Sequence, residues 1–255
     1  MLLQKLILFI ISFLFSIMGH TQTTIQTDRP DQTECPFVTP KGFIQAENGF
    51  THEHIDKNNT AIVLPSILWK YGVNKNLELR LITEVNSIKS FGNKTSGFVP
   101  TIIGFKVKVS EENGIVPATG FIGHLAIPNA ASTNFKASYY APSFRFNMQH
   151  TLSNKVSLAY NLGAEWDGET PQPTFIYTLS TGLSITQKLG TYIELYGFAP
   201  QNDIADNRAD GGFTYLISND IMVDISGGFG LSEASPKNYV ALGFSYRFNT
   251  TQRKP

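Results

Sequence analysis

From residue 43 to residue 248, the chain alternates apolar and polar positions in about twelve separate stretches. Such period-two alternation is typical of β-strands, because successive side chains point to opposite faces of a sheet. The predicted strands cover residues 43 to 52, 61 to 71, 76 to 85, 98 to 109, 115 to 127, 138 to 151, 156 to 166, 174 to 187, 191 to 199, 211 to 218, 221 to 230 and 239 to 248. An even number of strands predicts an all-β, antiparallel up-and-down barrel of about 12 strands.

The connections between these strands alternate between short and long. The short ones read GVNK, SEENG, LSNK, KLG and ND, and the long ones read EHIDKNNT, NSIKSFGNKTSG, PNAASTNFK, DGETPQPT, APQNDIADNR and LSEASPKN. Bacterial outer-membrane barrels have short periplasmic turns and longer extracellular loops. The alternation therefore predicts a transmembrane barrel whose two chain ends lie in the periplasm.

The third predicted strand indicates which face meets lipid. Leu77, Leu79 and Leu81 share one face, whereas Glu78 and Arg80 share the other. An arginine exposed to lipid at the bilayer midplane would cost roughly 2 to 4 kcal/mol. We therefore expect the leucines to face outward and the charged residues to face the lumen. The last predicted strand repeats the pattern with aromatic and aliphatic residues on one face and small or polar residues on the other.

A soluble β-sandwich or barrel would also show period-two strands, with the apolar face pointing inward. Two features favour a membrane protein: the alternation of turn lengths, and strand lengths near the 9 to 11 residues of a tilted membrane span. The mean hydropathy of −0.08 and the 16% of charged residues do not oppose this interpretation. Lipid-facing and lumen-facing positions cancel in such averages.

The beginning of the chain predicts export from the cytoplasm. Lys5 precedes a mostly apolar run from Leu6 to Met18, which is too short for the roughly 20 residues of a membrane-spanning helix. We interpret residues 1 to 21 as a signal peptide that is cleaved near Thr21. The remaining chain has nearly balanced charge, so we expect no nucleic-acid partner. Cys35 is the only cysteine, so no intramolecular disulfide can form.

The segment from Thr27 to Phe50 reads TDRPDQTECPFVTPKGFIQAENGF. Its TDRPDQTE and PKGFIQAENGF motifs resemble the start of a family of outer-membrane transporters labelled as the meta-pathway of phenol degradation family, with Cys35 where a serine is more usual. The later GVNKNLELRL is similar to the third strand of that family, and so is a final aromatic-rich strand ending in Phe. The resemblance implies an outer-membrane barrel related to transporters of aromatic hydrocarbons and fatty acids.

The facing of the strands predicts a charged barrel interior. The expected lumen-facing charged residues are Glu47, Lys70, Glu78, Arg80, Glu84, Lys106, Lys108, Arg145, Glu165, Glu194, Asp224 and Arg247. Acidic and basic residues are equally represented, so we expect no strong selectivity for anions or for cations. Two interpretations stay open: a polar conduit, or a lumen filled by its own ion pairs.

Residues 22 to 41 are predicted as an extended periplasmic leader, ahead of a barrel at residues 42 to 248 and a periplasmic tail at residues 249 to 255. The leader is rich in Thr and Pro and lacks sustained periodicity. Proline cannot donate to a strand ladder, and the charges of Asp28, Arg29, Asp31 and Glu34 can find partners in the lumen. We expect the leader to act as a plug or as a periplasmic contact.

The sequence predicts no catalytic residue, no metal site and no cofactor. His52, His54, His124 and His150 fall in different parts of the predicted barrel, and no G-x-S-x-G motif occurs. The two histidines around Glu53 would form at most a weak surface site, because structural zinc normally needs four ligands. The protein is therefore not expected to be an enzyme.

These observations predict a protein of the bacterial outer membrane that mediates the passage of small hydrophobic or aromatic molecules. The alternative is a non-transporting structural or surface-interaction barrel whose lumen is filled by ion pairs. The expected partners are outer-membrane lipid and lipopolysaccharide, a small-molecule solute, and the outer-membrane insertion machinery, which would bind the C-terminal strand ending at Phe248.

Overall fold

The computed structural model describes residues 24–250. The strands are β1 Phe43–His54, β2 Asn59–Gly72, β3 Leu77–Ser90, β4 Asn93–Phe98, β5 Ile102–Ser110, β6 Ala118–Ala126, β7 Ala141–Thr151, β8 Val156–Glu165, β9 Thr174–Ser184, β10 Leu189–Pro200, β11 Asp206–Ser218, β12 Ile221–Gly230 and β13 Asn238–Asn249. A short 3-10 helix, Thr133–Phe135, lies between β6 and β7. Within the described part of the chain, no helix is long and apolar enough to cross a bilayer. The predicted signal peptide, its cleavage site and residues 251–255 of the predicted tail lie outside the described residues.

Twelve of these strands form a closed antiparallel barrel, which confirms the predicted fold class. Neighbouring strands pair in chain order, except that β3 pairs with β5. The first and last strands pair along their whole length, from Phe43 opposite Asn249 to His54 opposite Asn238. Closure leaves no free sheet edge in the cylinder, and this is the condition that a bilayer imposes on a spanning sheet.

The segment between the third and fourth predicted strands differs from the expectation. We expected a loop at residues 86 to 97, but β3 continues to Ser90 and the chain returns as β4, which pairs only with β3. The turn between them uses Phe91 and Gly92, both with positive φ. The alternation of Ser87, Ile88 and Lys89 continues the period of β3, so the hairpin extends the sheet beyond the barrel rim.

Several strand ends were also predicted wrongly, for identifiable reasons. β5 begins at Ile102 instead of residue 98, and β6 begins at Ala118 instead of residue 115. Pro100 and Pro117 precede these starts, and proline cannot donate to the ladder. In contrast, β11 begins five residues earlier than predicted, at Asp206, because we assigned its polar first half to a loop.

The outer surface of the barrel is apolar and its interior is polar. Leu79 and Leu242 are 49% and 48% exposed, whereas their chain neighbours Glu78 and Ala241 are buried. The same alternation is clear in β10, β12 and β13, and exposed apolar side chains on most barrel strands form a band on the outside of the cylinder. Such a contiguous apolar surface is unfavourable in water and is matched by lipid.

Aromatic side chains mark both ends of this outer surface. Tyr71 and Phe248 are exposed at the end of the barrel where the short turns lie, and Tyr139, Tyr140 and Phe175 are exposed at the opposite end. Amphipathic aromatic residues concentrate where hydrocarbon meets the polar headgroups. The positions of these rings therefore delimit the membrane-facing band.

Candidate functional site

The described part of the leader, residues 24–41, lies inside the barrel. It begins at the end of the barrel that carries the short turns and is predicted to face the periplasm, where the N–H of Ile25 donates to the carbonyl of Asn219 at 2.8 Å. It leaves at the same end, where the N–H of Gly42 donates to the carbonyl of Gly72 at 2.8 Å. The leader is therefore a loop that enters and leaves the lumen through one mouth.

Asp28 is the main contact between the leader and one half of the barrel. Its carboxylate lies 2.6 Å from the Nζ of Lys106, 3.0 Å from the Nζ of Lys70 and 3.3 Å from Nη1 of Arg80. All four side chains are nearly inaccessible to solvent. Burial opposes ionisation of Asp28, but the three cations outweigh it and hold the pKa of Asp28 well below its usual range. The carboxylate stays ionised, as buried cations require.

A second acidic side chain of the leader extends this network. The carboxylate of Glu34 lies 2.8 Å from Nη1 of Arg80 and 4.0 Å from Nη1 of Arg145. Its backbone is held as well, because its N–H donates to Asn161 at 2.7 Å and its carbonyl accepts from Asn147 and Asn161. The leader lacks strand partners for its backbone, so lumen side chains satisfy it instead.

The opposite half of the barrel holds the leader through carboxylates of the wall. Glu194 accepts from the N–H groups of Gln32 and Thr33, both at 2.8 Å, and from the Thr33 hydroxyl at 2.5 Å. Asp224 pairs with Arg29 at 3.2 Å. On this side, wall carboxylates bind leader donors. On the side of Asp28, wall cations bind leader carboxylates, and Glu47 and Glu78 accept from the N–H groups of Asp28 and Thr39.

Two glycines make room for the leader. A Cβ atom at Gly49, in the middle of β1, would lie 2.2 Å from Nη1 of Arg29. A Cβ atom at Gly72 would lie 2.1 Å from the carbonyl oxygen of Pro40. The absence of a side chain at these two positions of the barrel wall therefore leaves space for the Arg29 side chain and for the backbone of the leader where it leaves the lumen.

Several cavities lie between the leader and the barrel wall, and two of them are lined by Arg29 and Pro30. An outer cavity of about 290 Å³ extends from the leader towards Glu53 and Arg208, near the extracellular ends of β1 and β11. A periplasmic cavity of about 380 Å³ extends from the leader to the turn at residues 153–155. Arg29 and Pro30 line both cavities. These two leader residues therefore stand between the outer and the periplasmic space.

The predicted lumen-facing charged residues lie on the inner strand faces, with different degrees of burial. The buried ones are Glu47, Lys70, Glu78, Arg80, Lys106, Glu194, Asp224 and Arg247. The half-buried ones are Glu84, Lys108, Arg145 and Glu165. Lys108 contacts Glu111 in the next turn and does not contact the leader. Arg247 lies 2.8 Å from Asp220 and 5.2 Å from the ring centroid of Phe43.

Sequence reasoning missed a group of lumen residues in the first half of β11. Arg208 pairs with Asp206 at 2.5 Å and with Glu53 of β1 at 2.6 Å, and its guanidinium lies 6.0 Å from the ring centroid of Tyr196. Asp210, two residues further along β11, accepts a hydrogen bond from Tyr239. The signal is the charged residue at every second position of DNRAD, whose first three residues belong to the predicted loop APQNDIADNR.

In the described part of the chain, the cysteine and two of the histidines lie apart from one another. The Cys35 thiol donates to the Asp28 carboxylate at 3.3 Å, and burial together with that charge raises the pKa of Cys35 to about 12. The thiol is therefore a poor nucleophile at neutral pH. His150 stacks on Tyr160, and His124 packs against Gly104. Across residues 24–250, no group of three His, Cys, Asp or Glu side chains could hold a metal ion.

Solved structures with this fold include several channels. An outer membrane channel from Pseudomonas putida superposes with a TM-score of 0.69 at 14% sequence identity, covering 86% of this chain and 99% of that chain. The KdgM porin gives a TM-score of 0.52 at 11% identity, with coverages of 79% and 99%. The NanC porin gives 0.52 at 10% identity, with coverages of 80% and 98%. At these identities the similarity establishes the shared fold.

No match was found among the curated proteins. A family described as "Putative MetA-pathway of phenol degradation" matches residues 27–248, which include most of the leader and nearly the whole barrel. The match confirms the resemblance seen in the sequence motifs. The chain belongs to this family.

Proposed function

We propose that the protein is a channel of the bacterial outer membrane that passes small hydrophobic or aromatic molecules, and that its leader plugs the lumen. The observation that carries the proposal is the pair of cavities on either side of Arg29 and Pro30. A barrel of purely structural function has no need of space on both sides of a removable segment. The family description supports the aromatic substrate class.

The leader qualifies as a plug because polar contacts hold it rather than continuous strand pairing. Asp28 and Glu34 bind one half of the wall, and Arg29, Gln32 and Thr33 bind the other. These contacts involve charged groups, for which a hydrogen bond contributes about 1.5 to 3 kcal/mol, and water can solvate both partners when the leader leaves. A segment held in this way can leave without unfolding the barrel.

The proposal includes the expected partners of such a barrel. The exposed apolar band and aromatic ends of the cylinder fit outer-membrane lipid and lipopolysaccharide. The C-terminal strand β13 ends at Asn249 with Phe248 facing outward, in the position that would engage the outer-membrane insertion machinery. No enzymatic step is part of the proposal.

Single-channel conductance of the refolded mature protein in planar bilayers tests the plug. Deletion of residues 22 to 34 should give larger and more frequent current steps. A second variant has residues 22 to 34 replaced by Gly and Ser at equal length, so it keeps a segment in the lumen but loses the side-chain contacts with the wall. This variant should open more often than the natural chain, with brief closures when the segment re-enters the lumen. A small aromatic molecule such as phenol should block the enlarged current in proportion to its concentration.

The alternative is a non-transporting structural or surface-interaction barrel. It is favoured by the buried contacts of Asp28 with Lys70, Arg80 and Lys106, which fill one half of the lumen. Silence from the natural chain, the deletion and the Gly-Ser variant alike, with correct folding shown by heat-modifiable mobility on gels, would support this alternative and exclude the channel.

A further inference from the structure

The lumen has two unlike halves. On β1, β2, β3 and β5 the inner face carries Glu47, Lys70, Glu78, Arg80 and Lys106, all buried. The leader packs against these buried charges through Asp28 and Glu34. The periplasmic cavity borders β7 to β11 instead, whereas the outer cavity also reaches the other ends of β1, β2 and β3.

The strand residues that line the periplasmic cavity are uncharged, and most of them are small, with Tyr192 as a large exception. They include Ser157 and Ala159 on β8, Ser180 and Gly182 on β9, and Thr214 on β11. The charged residues around this cavity are Arg29 and Asp31 of the leader and Lys155 of the periplasmic turn. The spanning strands therefore present hydroxyl groups, methyl groups and bare backbone to this space.

Building on the proposed channel function, we propose that solutes cross the lumen along the β8 to β11 wall and that this wall selects small uncharged molecules over ions of equal size. The route begins in the outer cavity beside Arg208, passes Pro30 of the leader, and continues past Ser180 and Gly182 to the periplasmic turn.

We expect neutral solutes to be favoured because two cationic side chains along the route are already paired with carboxylates. Arg29 is paired with Asp224 at 3.2 Å, and Arg208 is paired with Glu53 at 2.6 Å. An ion that leaves its hydration shell along the wall finds no strand counter-charge beside the periplasmic cavity, and an uncompensated charge in a narrow space is unfavourable. A neutral solute can exchange water for the serine and threonine hydroxyls, which both donate and accept.

The leader contacts β9 along the proposed route. The Ser180 hydroxyl donates to Asp31 at 3.0 Å, and the hydroxyls of Thr33 and Thr178 are hydrogen-bonded to each other at 2.6 Å. Gly182 follows on the same inner face, where an added Cβ would meet the mobile Ser157 hydroxyl at 2.9 Å. A larger side chain at Gly182 would therefore fill the cavity rather than distort the backbone. The cavity is at the small end of ligand pockets, which span roughly 300 to 1,000 Å³.

Liposome swelling with the full mature chain tests the proposal, with a neutral sugar compared with a sugar acid and an amino sugar of the same size. The wild-type protein should admit the neutral sugar severalfold faster than either charged one. Gly182→Leu should lower the rate for the neutral sugar severalfold. Gly227→Leu is the matched control: Gly227 lies on the outer face of β12, between the exposed Ile225 and Phe229, and its substitution should leave all three rates unchanged.

The outcomes separate this inference from the channel function. If the wild-type protein and the Gly182→Leu variant admit the sugars at equal rates, the proposed route is wrong while the channel function stands. Equal rates for neutral and charged sugars would overturn the selectivity. Wild-type protein and the leader deletion that both admit no solute would overturn the channel function and this inference together.

A second variant covers the case in which Gly182→Leu does not fold. Ser157→Cys, in a Cys35→Ser background, changes one atom and faces the same cavity. A charged methanethiosulfonate reagent added from the periplasmic side should lower the single-channel current of this variant. The Cys35→Ser background alone should show no change, and an unaffected Ser157→Cys current would contradict the route.

Discussion

Replacing Asp28 with Asn should loosen the leader strongly, because one carboxylate serves three buried cations. Lys70 would retain Glu47 at 2.5 Å, and Arg80 would retain Glu34 at 2.8 Å. Lys106 would lose its contact at 2.6 Å and keep Glu34 only at 4.0 Å. Lys106 is thus the cation that the substitution leaves without a close counter-charge.

The size of the effect follows from the burial of the group that loses its partner. Removing one member of a buried ion pair costs about 3 to 5 kcal/mol, and full burial of Lys106 means that solvent does not screen the loss. The lower value fits here, because the carbonyl of Cys35 still accepts from Lys106 at 2.9 Å. About 3 kcal/mol corresponds to roughly a hundredfold shift towards the released leader.

Open probability in single-channel recordings measures this equilibrium. Asp28→Asn should raise it strongly, whereas Asp56→Asn removes a carboxylate from the exposed first loop and should have no effect. Adding Lys106→Met to Asp28→Asn removes the orphan cation and should restore part of the closed state. Equal open probabilities for Asp28→Asn, Asp56→Asn and the wild-type protein would refute the conclusion that these ion pairs hold the leader.

Two further predictions concern pH and membrane insertion. Burial raises the pKa of Asp31 from 3.8 to about 7, so the seated leader holds a proton that the released leader loses. As pH rises from about 4 to about 7, the seated leader should become less stable, and the channel should open more often. Asp31→Asn should abolish this pH dependence of the open probability. An open probability that depends on pH in Asp31→Asn as it does in the wild-type protein would contradict the prediction. Leu242→Arg places a charge on the outer face and should cost roughly 2 to 4 kcal/mol of folding stability in bilayers. Urea titration in lipid vesicles checks this, with Leu242→Phe as the control.

The fold could be predicted because lipid imposes a rule on every strand. An arginine such as Arg80 cannot face hydrocarbon, so its leucine neighbours must, and the same choice propagates to the paired strands. Strand ends were harder to predict, since they depend on local groups. The hairpin of β3 and β4 extends beyond the rim of the barrel. There the bilayer no longer determines whether the chain forms a strand or a loop, so the rule does not predict the hairpin.

The site could be predicted only in part. The side of the barrel wall on which a residue lies follows from the alternation within its own strand, whereas its ion-pair partner depends on how distant segments of the chain fold together. The alternation within a strand predicts that Lys106 points inward, but its partner Asp28 lies 78 positions away. The contacts of Glu194 with two backbone N–H groups of the leader leave no signal in side-chain identity. The group around Arg208 and Asp210 was missed because a polar strand half in a lumen has the composition of a loop.

The leader is fixed at the same barrel mouth through the hydrogen bonds of Ile25 and Gly42. A tip that detaches from the lumen therefore stays on a tether joined to β1, and it cannot diffuse away. A short flexible tether keeps such a segment at an effective concentration of about millimolar. Rebinding is then an intramolecular step, independent of how many copies occupy the membrane. The channel should accordingly open in brief bursts that end by recapture of its own chain, and a soluble copy of the leader peptide would compete poorly.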